Sequence, residues 1–293
     1  MKIKAGKGEI LFGIFNAVLL TFLMLITLYP MLHVLFASLS NSAALMAHSG
    51  VILSPIEFSI SSYGMVFKNP MIVRGYLNTI FIVVAGVFVN ILMTSLGAYF
   101  LSRKNVLWQT PITLLIIFTM FFNGGMVPFY LTVKNLGLYN SYFALILPTA
   151  INTYNMIVMR TAFSSIPESL VESAKIDGAN HITILWRIVM PLSQAVVAVM
   201  VLYYGVAHWN SWFHAMLFIK DRTKFPLQII LREILIQNTN SEAMISVDAN
   251  VKESVAESIK YATIVVATLP ILCIYPMLQK YFIKGVMIGA VKG

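Results

Sequence analysis

Six long stretches of this chain carry no Asp, Glu, Lys or Arg: residues 10–56, 75–102, 105–133, 135–159, 188–219 and 261–279. A bilayer-spanning helix needs about 20 mostly apolar residues with few charges. In hydrocarbon every backbone polar group must be satisfied internally, which a helix achieves within one segment. The spacing therefore predicts an all-α, polytopic membrane protein with six transmembrane helices. Composition points the same way, since only 11% of residues are charged and 59% are hydrophobic. A typical soluble domain has about 25% charged residues, so a soluble enzyme, a disordered chain and a disulfide-stapled secreted module are all excluded. The single cysteine, Cys273, leaves no intrachain disulfide and no cysteine metal centre.

The first gap turns small and polar after Ala37, which predicts a span over about residues 10–37 and an exposed connector. That apolar run far exceeds the roughly 7–15 residues of a signal-peptide core, so it is expected to remain as an anchor. The organisation expected is an N-terminal anchor and outer connector at 1–70, a core at 71–285, and a tail at 286–293. Placing both termini in the cytoplasm puts Lys2, Lys4, Lys7, Arg103, Lys104, Arg160, Lys175, Arg187 and the C-terminal lysines inside, as the positive-inside rule requires. The net charge of +9 thus reads as topology, its cations scattered rather than clustered for nucleic acid. The expected location is a membrane, crossed several times.

No Asp, Glu, Lys or Arg falls in the core of a predicted span; only His33, His208 and His214 could titrate there. Ion-coupled carriers usually bury ionisable groups to bind the driving ion. There is also no H-E-x-x-H and no Walker A glycine loop. An enzyme and a self-powered carrier or channel are both disfavoured, and any transport must draw on a partner.

The longest cytoplasmic loop, 160–191, is where such a partner would act. Ser165 reads as an N-cap, with Pro167 and Glu168 in the first turn. Ile166, Leu170 and Ala174 repeat on one face, Glu168, Glu172 and Lys175 on another, and Gly178 stops the helix in a left-handed conformation. A second helix with Ile182, Leu185, Trp186 and Val189 follows, up to Pro191. From the residues alone, an interfacial helix and a partner-docking helix fit equally.

Glu172, Ser173 and Ala174, then Gly178 four residues on, then Ile188, Val189, Met190 and Pro191, match without a gap the E-A-A, three residues, Gly, nine residues, I-x-L-P signature of permease subunits of binding-protein-dependent ABC importers. Ser173 for Ala and Met190 for Leu are the two departures. The chain resembles this family over nearly its whole length, in the carbohydrate branch with the maltose importer's smaller permease. Q-K-Y-F-I-K-G-V-M-I-G-A-V-K-G at 279–293 is similar to that branch's tail. M-F-F-N-G-G-M-V-P at 120–128 and H-W-N-S-W-F at 208–213 are similar to the subgroup importing complex or acidic oligosaccharides, such as alginate. The resemblance implies a type I importer permease fold with no chemistry of its own. It implies a second permease, two ATPase subunits that hold ATP and Mg, and an extracytoplasmic solute-binding protein. It makes the 165–180 helix the coupling helix, with Glu172, Ser173, Ala174, Asp177, Gly178, Ile188 and Pro191 as coupling residues.

Aromatics interleaved with polar groups suit sugars, whose ring faces stack while hydroxyls bond. Tyr203, Tyr204, His208, Trp209, Asn210, Trp212 and Phe213 form such a run, with His208/Trp212 and Trp209/Phe213 at helical i,i+4 spacing. His208, Trp209, Asn210 and Trp212, with Asn90 and Asn123, are the candidate pathway lining. An aromatic belt and helix packing are the alternatives, and for Asn78, Asn90 and Asn123 interhelical hydrogen bonding is the default. Gly124, Gly125 and Pro128 predict a break, and Pro226 opens an amphipathic helix in the outer loop 220–260.

Overall fold

The computed structural model describes residues 6–103, 106–122, 124–241, 258–274 and 276. Among these the regular structure is helical, with a lone bridge between Ser40 and Phe58 and no strand. The chain divides into two compact units, Met1–Pro70 with Leu231–Thr268, and Met71–Ile230 with Leu269–Gly293.

In the first unit, the helix Lys7–Ser38 is apolar all round and exposed along nearly its entire length. At about 1.5 Å per residue it exceeds the roughly 30 Å hydrocarbon thickness, and its exposed leucines and phenylalanines suit lipid. Burial begins only at Ala37 and Ser38, where Ser38 Oγ lies 2.7 Å from the Tyr63 hydroxyl. Asn41 then caps the short helix Ser42–Ala47 by accepting from the Ala43 N–H at 3.0 Å.

The second unit is built on the helix Pro70–Ser102, whose pattern inverts that of a soluble helix. Asn78, Ile82, Gly86, Asn90, Thr94, Ala98 and Ser102, four apart, are buried, while Leu77, Phe81, Val84 and Phe88 are exposed. In a bilayer the outward face needs only to be apolar, and close packing comes from small and polar residues. Three close approaches fall at glycines. A Cβ would lie 2.5 Å from Ile230 Cδ1 at Gly75, 2.5 Å from His208 Nε2 at Gly86, and 2.6 Å from Met156 Sδ at Gly97.

The remaining spans are interrupted. Among the described residues, two helices are long and apolar enough to cross a membrane alone, Lys7–Ser38 and Pro70–Ser102, or up to four spans if each bent pair counts as one. The described residues thus hold two to four candidate spans and leave the six expected unconfirmed. Gap three is split into Gln109–Phe121 and Met126–Asn135, with Gly125 at φ +87°. Gap four holds Phe143–Ile146, a 3-10 turn at Leu147–Thr149 and Thr153–Ser164. Gap five bends by 90° between His181–Leu192 and Gln194–Trp209. The described helix of gap six is Ser258–Ile274.

Backbone groups freed by the gap-four break find side chains, as burial at membrane depth demands. Asn90 Nδ2 donates to Thr149 O at 2.6 Å and Ala150 O at 3.0 Å. The Asn152 N–H donates to the Tyr204 hydroxyl at 3.2 Å, and that hydroxyl lies 2.7 Å from Thr94 Oγ1. Asn78 likewise donates to Thr223 O and Phe225 O, both at 2.9 Å, and accepts from the Tyr142 hydroxyl at 2.9 Å.

Candidate functional site

The 160–191 segment contains the expected helix, starting later than its sequence indicates. It runs Glu168–Ile176 with Pro167 at the N-cap, and no side chain caps it. Ser165 instead closes the preceding helix Thr153–Ser164, its hydroxyl donating to Ala162 O at 2.7 Å. The buried face also differs: Val171 and Ala174 are buried, whereas Leu170 is 44% exposed. With Ile166 they pack into a cluster containing Ala98, Leu101, Met159, Phe163, Ile184, Leu185 and Val189.

The helix ends in a two-bond cap. Gly178 sits at φ +81°, its N–H donating to Lys175 O at 3.0 Å, and the Ala179 N–H donates to Ala174 O at 2.9 Å. This is the Schellman arrangement, which uses a left-handed residue after the C-cap. Glu172, Ser173, Asp177 and Gly178 are exposed, and Ile176 beside them is 86% exposed. Glu172 forms no ion pair among the described residues. The result is an exposed charged face of Glu172, Lys175 and Asp177 with Ile176 projecting beside it, on a backbone fixed from beneath.

Asn180 restarts the chain, its Oδ1 accepting from the Thr183 N–H at 2.8 Å. A π-helical turn follows at Leu185–Val189, with Ile188 half-buried against the core cluster. The wider turn sits just before Pro191, which has no N–H to continue the ladder and whose ring would crowd the preceding turn. Two residues later, at Ser193, comes the 90° bend. Tyr99 and His181, 82 positions apart, escape any spacing argument, yet the Tyr99 hydroxyl lies 3.0 Å from His181 Nδ1. The Arg103 guanidinium stands 5.0 Å above the Tyr99 ring and donates to Phe163 O at 3.1 Å.

The pathway candidates separate. A cavity of about 440 Å³ is lined by His208, Asn210 and Trp212, together with Asn152, Asn155, Tyr203, Tyr204, Ser211, Phe213 and His214. The i,i+4 pairing across 208–213 fails because the helix ends at Trp209 and a new one starts at Phe213. The residues converge through this turn instead. Trp209 points elsewhere, into an apolar pocket of about 530 Å³ with Val83, Val87, Leu202 and Val206. Asn90 is fully buried behind the cavity wall, its Oδ1 2.7 Å from His208 Nε2, so it positions His208 rather than lining the cavity. Asn123 lies outside the described residues. Asn152 and Asn155 carry no sequence signal beyond the polar run I-N-T-Y-N at 151–155, whereas Tyr204 belongs to the aromatic run that the sequence marks. Among the described residues no three His, Cys, Asp or Glu side chains gather as a metal site.

Residues 76–288 match the family model described as binding-protein-dependent transport system inner membrane component. The polygalacturonan/rhamnogalacturonan transport system permease protein YtcP of Bacillus subtilis is 42% identical over 92% of this chain and 94% of its own. Protein LplC of the same organism is 42% identical over 99% of this chain and 97% of its own. A chain from the crystal structure of a bacterial ABC transporter involved in the import of the acidic polysaccharide alginate superposes with a TM-score of 0.87 at 34% identity, covering 96% of this chain and 100% of that one. The match over most of the chain, and the shared fold it carries, make this protein a member of the binding-protein-dependent transport system inner membrane component family.

Proposed function

We propose that this chain is a permease subunit of an ATP-powered importer, forming half of the translocation pathway for an acidic oligosaccharide of the galacturonan or alginate type. A solute-binding protein delivers the sugar, a second permease supplies the other half, and two ATPase subunits hold ATP and Mg. The chain catalyses nothing itself. It lies in the inner membrane with both termini cytoplasmic. The observation that carries this reading is the helix Glu168–Ile176, which presents Glu172 and Ile176 outward from a capped and anchored backbone.

The geometry accounts for transmission. The Schellman cap and the short link through Asn180 join this helix to His181–Leu192, and beyond the bend Gln194–Trp209 ends at His208 and the cavity. Val171 and Ala174, packed on the same core as Leu185 and Val189, make the helix and its successor move together. A push on the exposed face therefore reaches the cavity wall. The names of YtcP and of the alginate transporter favour acidic sugars as cargo. Another organic solute is the alternative within the family. An ATPase-independent carrier is disfavoured, because no Asp, Glu, Lys or Arg is among the described residues lining the cavity.

Purification with the genetically linked partners tests the proposal. ATP hydrolysis in lipid should rise when binding protein and trigalacturonate or an alginate trisaccharide are added, and not with neutral raffinose. Stimulation by raffinose alone would overturn the acidic assignment, and uptake without any ATPase would overturn the importer reading.

A further inference from the structure

Asn90 and His208 fix one another's hydrogen positions. The Asn90 amide nitrogen is identified by its two carbonyl acceptors, Thr149 O and Ala150 O; the flipped amide would press oxygen against both. Oδ1 is therefore the atom 2.7 Å from His208 Nε2. A carbonyl oxygen only accepts, so Nε2 carries the hydrogen. In the neutral imidazole the lone pair then belongs to Nδ1, the opposite role from a donor. Nδ1 has no partner among the described residues, and His208 lines the cavity.

We propose that His208 is a tautomer-fixed acceptor that takes a hydrogen bond from a sugar hydroxyl on Nδ1, so that this position reads a hydroxyl of a glycosyl unit and not its carboxylate. A hydroxyl brings the hydrogen that Nδ1 lacks, whereas a carboxylate would set lone pair against lone pair. Tyr203 and Trp212, 41% and 39% exposed, offer aromatic surface to the apolar side of the ring. The lining residues include no Lys or Arg that would draw an acid group. A uronic acid therefore meets Nδ1 with a hydroxyl and leaves its carboxylate to other groups. This inference rests on the reading of the cavity as pathway.

The test uses the assembled complex in nanodiscs with ¹⁵N-labelled histidine, His208 being assigned from variants that lack each of the other four histidines in turn. Nε2 is expected to be protonated and Nδ1 bare. Nδ1 should stay bare on addition of trigalacturonate, its resonance displaced by an accepted hydrogen bond. In parallel, His208→Gln keeps a donor near Nε2 but has no acceptor at Nδ1. It should assemble normally and reduce uptake about three- to tenfold, the factor for one ordinary hydrogen bond. A proton on Nδ1, free or with trigalacturonate, overturns the proposal, as does wild-type uptake by the Gln variant. If the wild-type complex carries neither trigalacturonate, an alginate trisaccharide nor raffinose, the oligosaccharide reading falls and the inference with it. If the wild type carries one and the Gln variant matches it, the inference alone falls.

Discussion

Gly86 is the residue whose substitution the packing determines most sharply. A Cβ there would lie 2.5 Å from His208 Nε2 and 2.8 Å from both Cδ2 and Cε1, against a ring that is only 6% exposed. The ring cannot swing aside without releasing the 2.7 Å contact to Asn90. Overpacking a tight site costs about 1–3 kcal/mol, and the lost hydrogen bond adds about 0.5–1.5 kcal/mol. Gly86→Ala should therefore destabilise the assembled complex by about 2–4 kcal/mol. In a His208→Ala background the space is already open, and the same substitution should cost close to nothing. The double-mutant cycle isolates this coupling, which equals the loss it removes, about 2–4 kcal/mol, at the upper end of what residues in contact show. The assay is denaturant titration of the complex in lipid, with the four proteins compared at equal expression. Additive losses would refute the claim that the glycine exists to admit the imidazole.

Glu172→Ala should weaken ATPase retention while leaving insertion and permease pairing intact. A pair buried at the interface costs roughly 3–5 kcal/mol when one partner is removed, against about 0–1 kcal/mol for an exposed one, so unchanged co-purification would dismiss the buried-pair reading. Gly178→Val should abolish ATP-driven uptake by re-aiming the helix, since a residue with a Cβ pays about 1–2 kcal/mol at φ +81°; wild-type uptake would count against the cap's role. Cysteines placed at Lys175 and Lys134, in a Cys273-free background, should label with an impermeant reagent from the cytoplasmic and outer sides respectively; outside labelling at 175 would reverse the topology. The Asp221 carboxyl is held below the usual carboxylate range, first by the Thr223 hydroxyl at 2.8 Å and then by the Thr223 N–H at 2.9 Å. Because its folded pKa is depressed, its contribution is present above the ordinary Asp value of about 3.9 and fades as pH falls through the folded value; Asp221→Asn should flatten that acid limb alone, as read by stability against pH.

The charge-free gaps settled the medium, because carrying so few charges is a property of composition that no packing can reverse. The signature loop was legible for a local reason: Gly178 and the segment it terminates lie within one short stretch, and a left-handed cap is a backbone preference encoded residue by residue. Even there the N-terminus shifted, since Ser165 was already engaged by Ala162 of the preceding helix. Tertiary structure decided what depends on partners distant in sequence. Asn90 and His208 are 118 positions apart, and only their meeting turns a candidate lining residue into the one that orients another. The gap-three break was legible in Gly124, Gly125 and Pro128, but the gap-four break was not legible in its apolar run. A hydropathy pattern records how apolar a segment is, whereas a break at membrane depth survives only where Asn90 and Tyr204 arrive from other helices to bond the backbone it exposes.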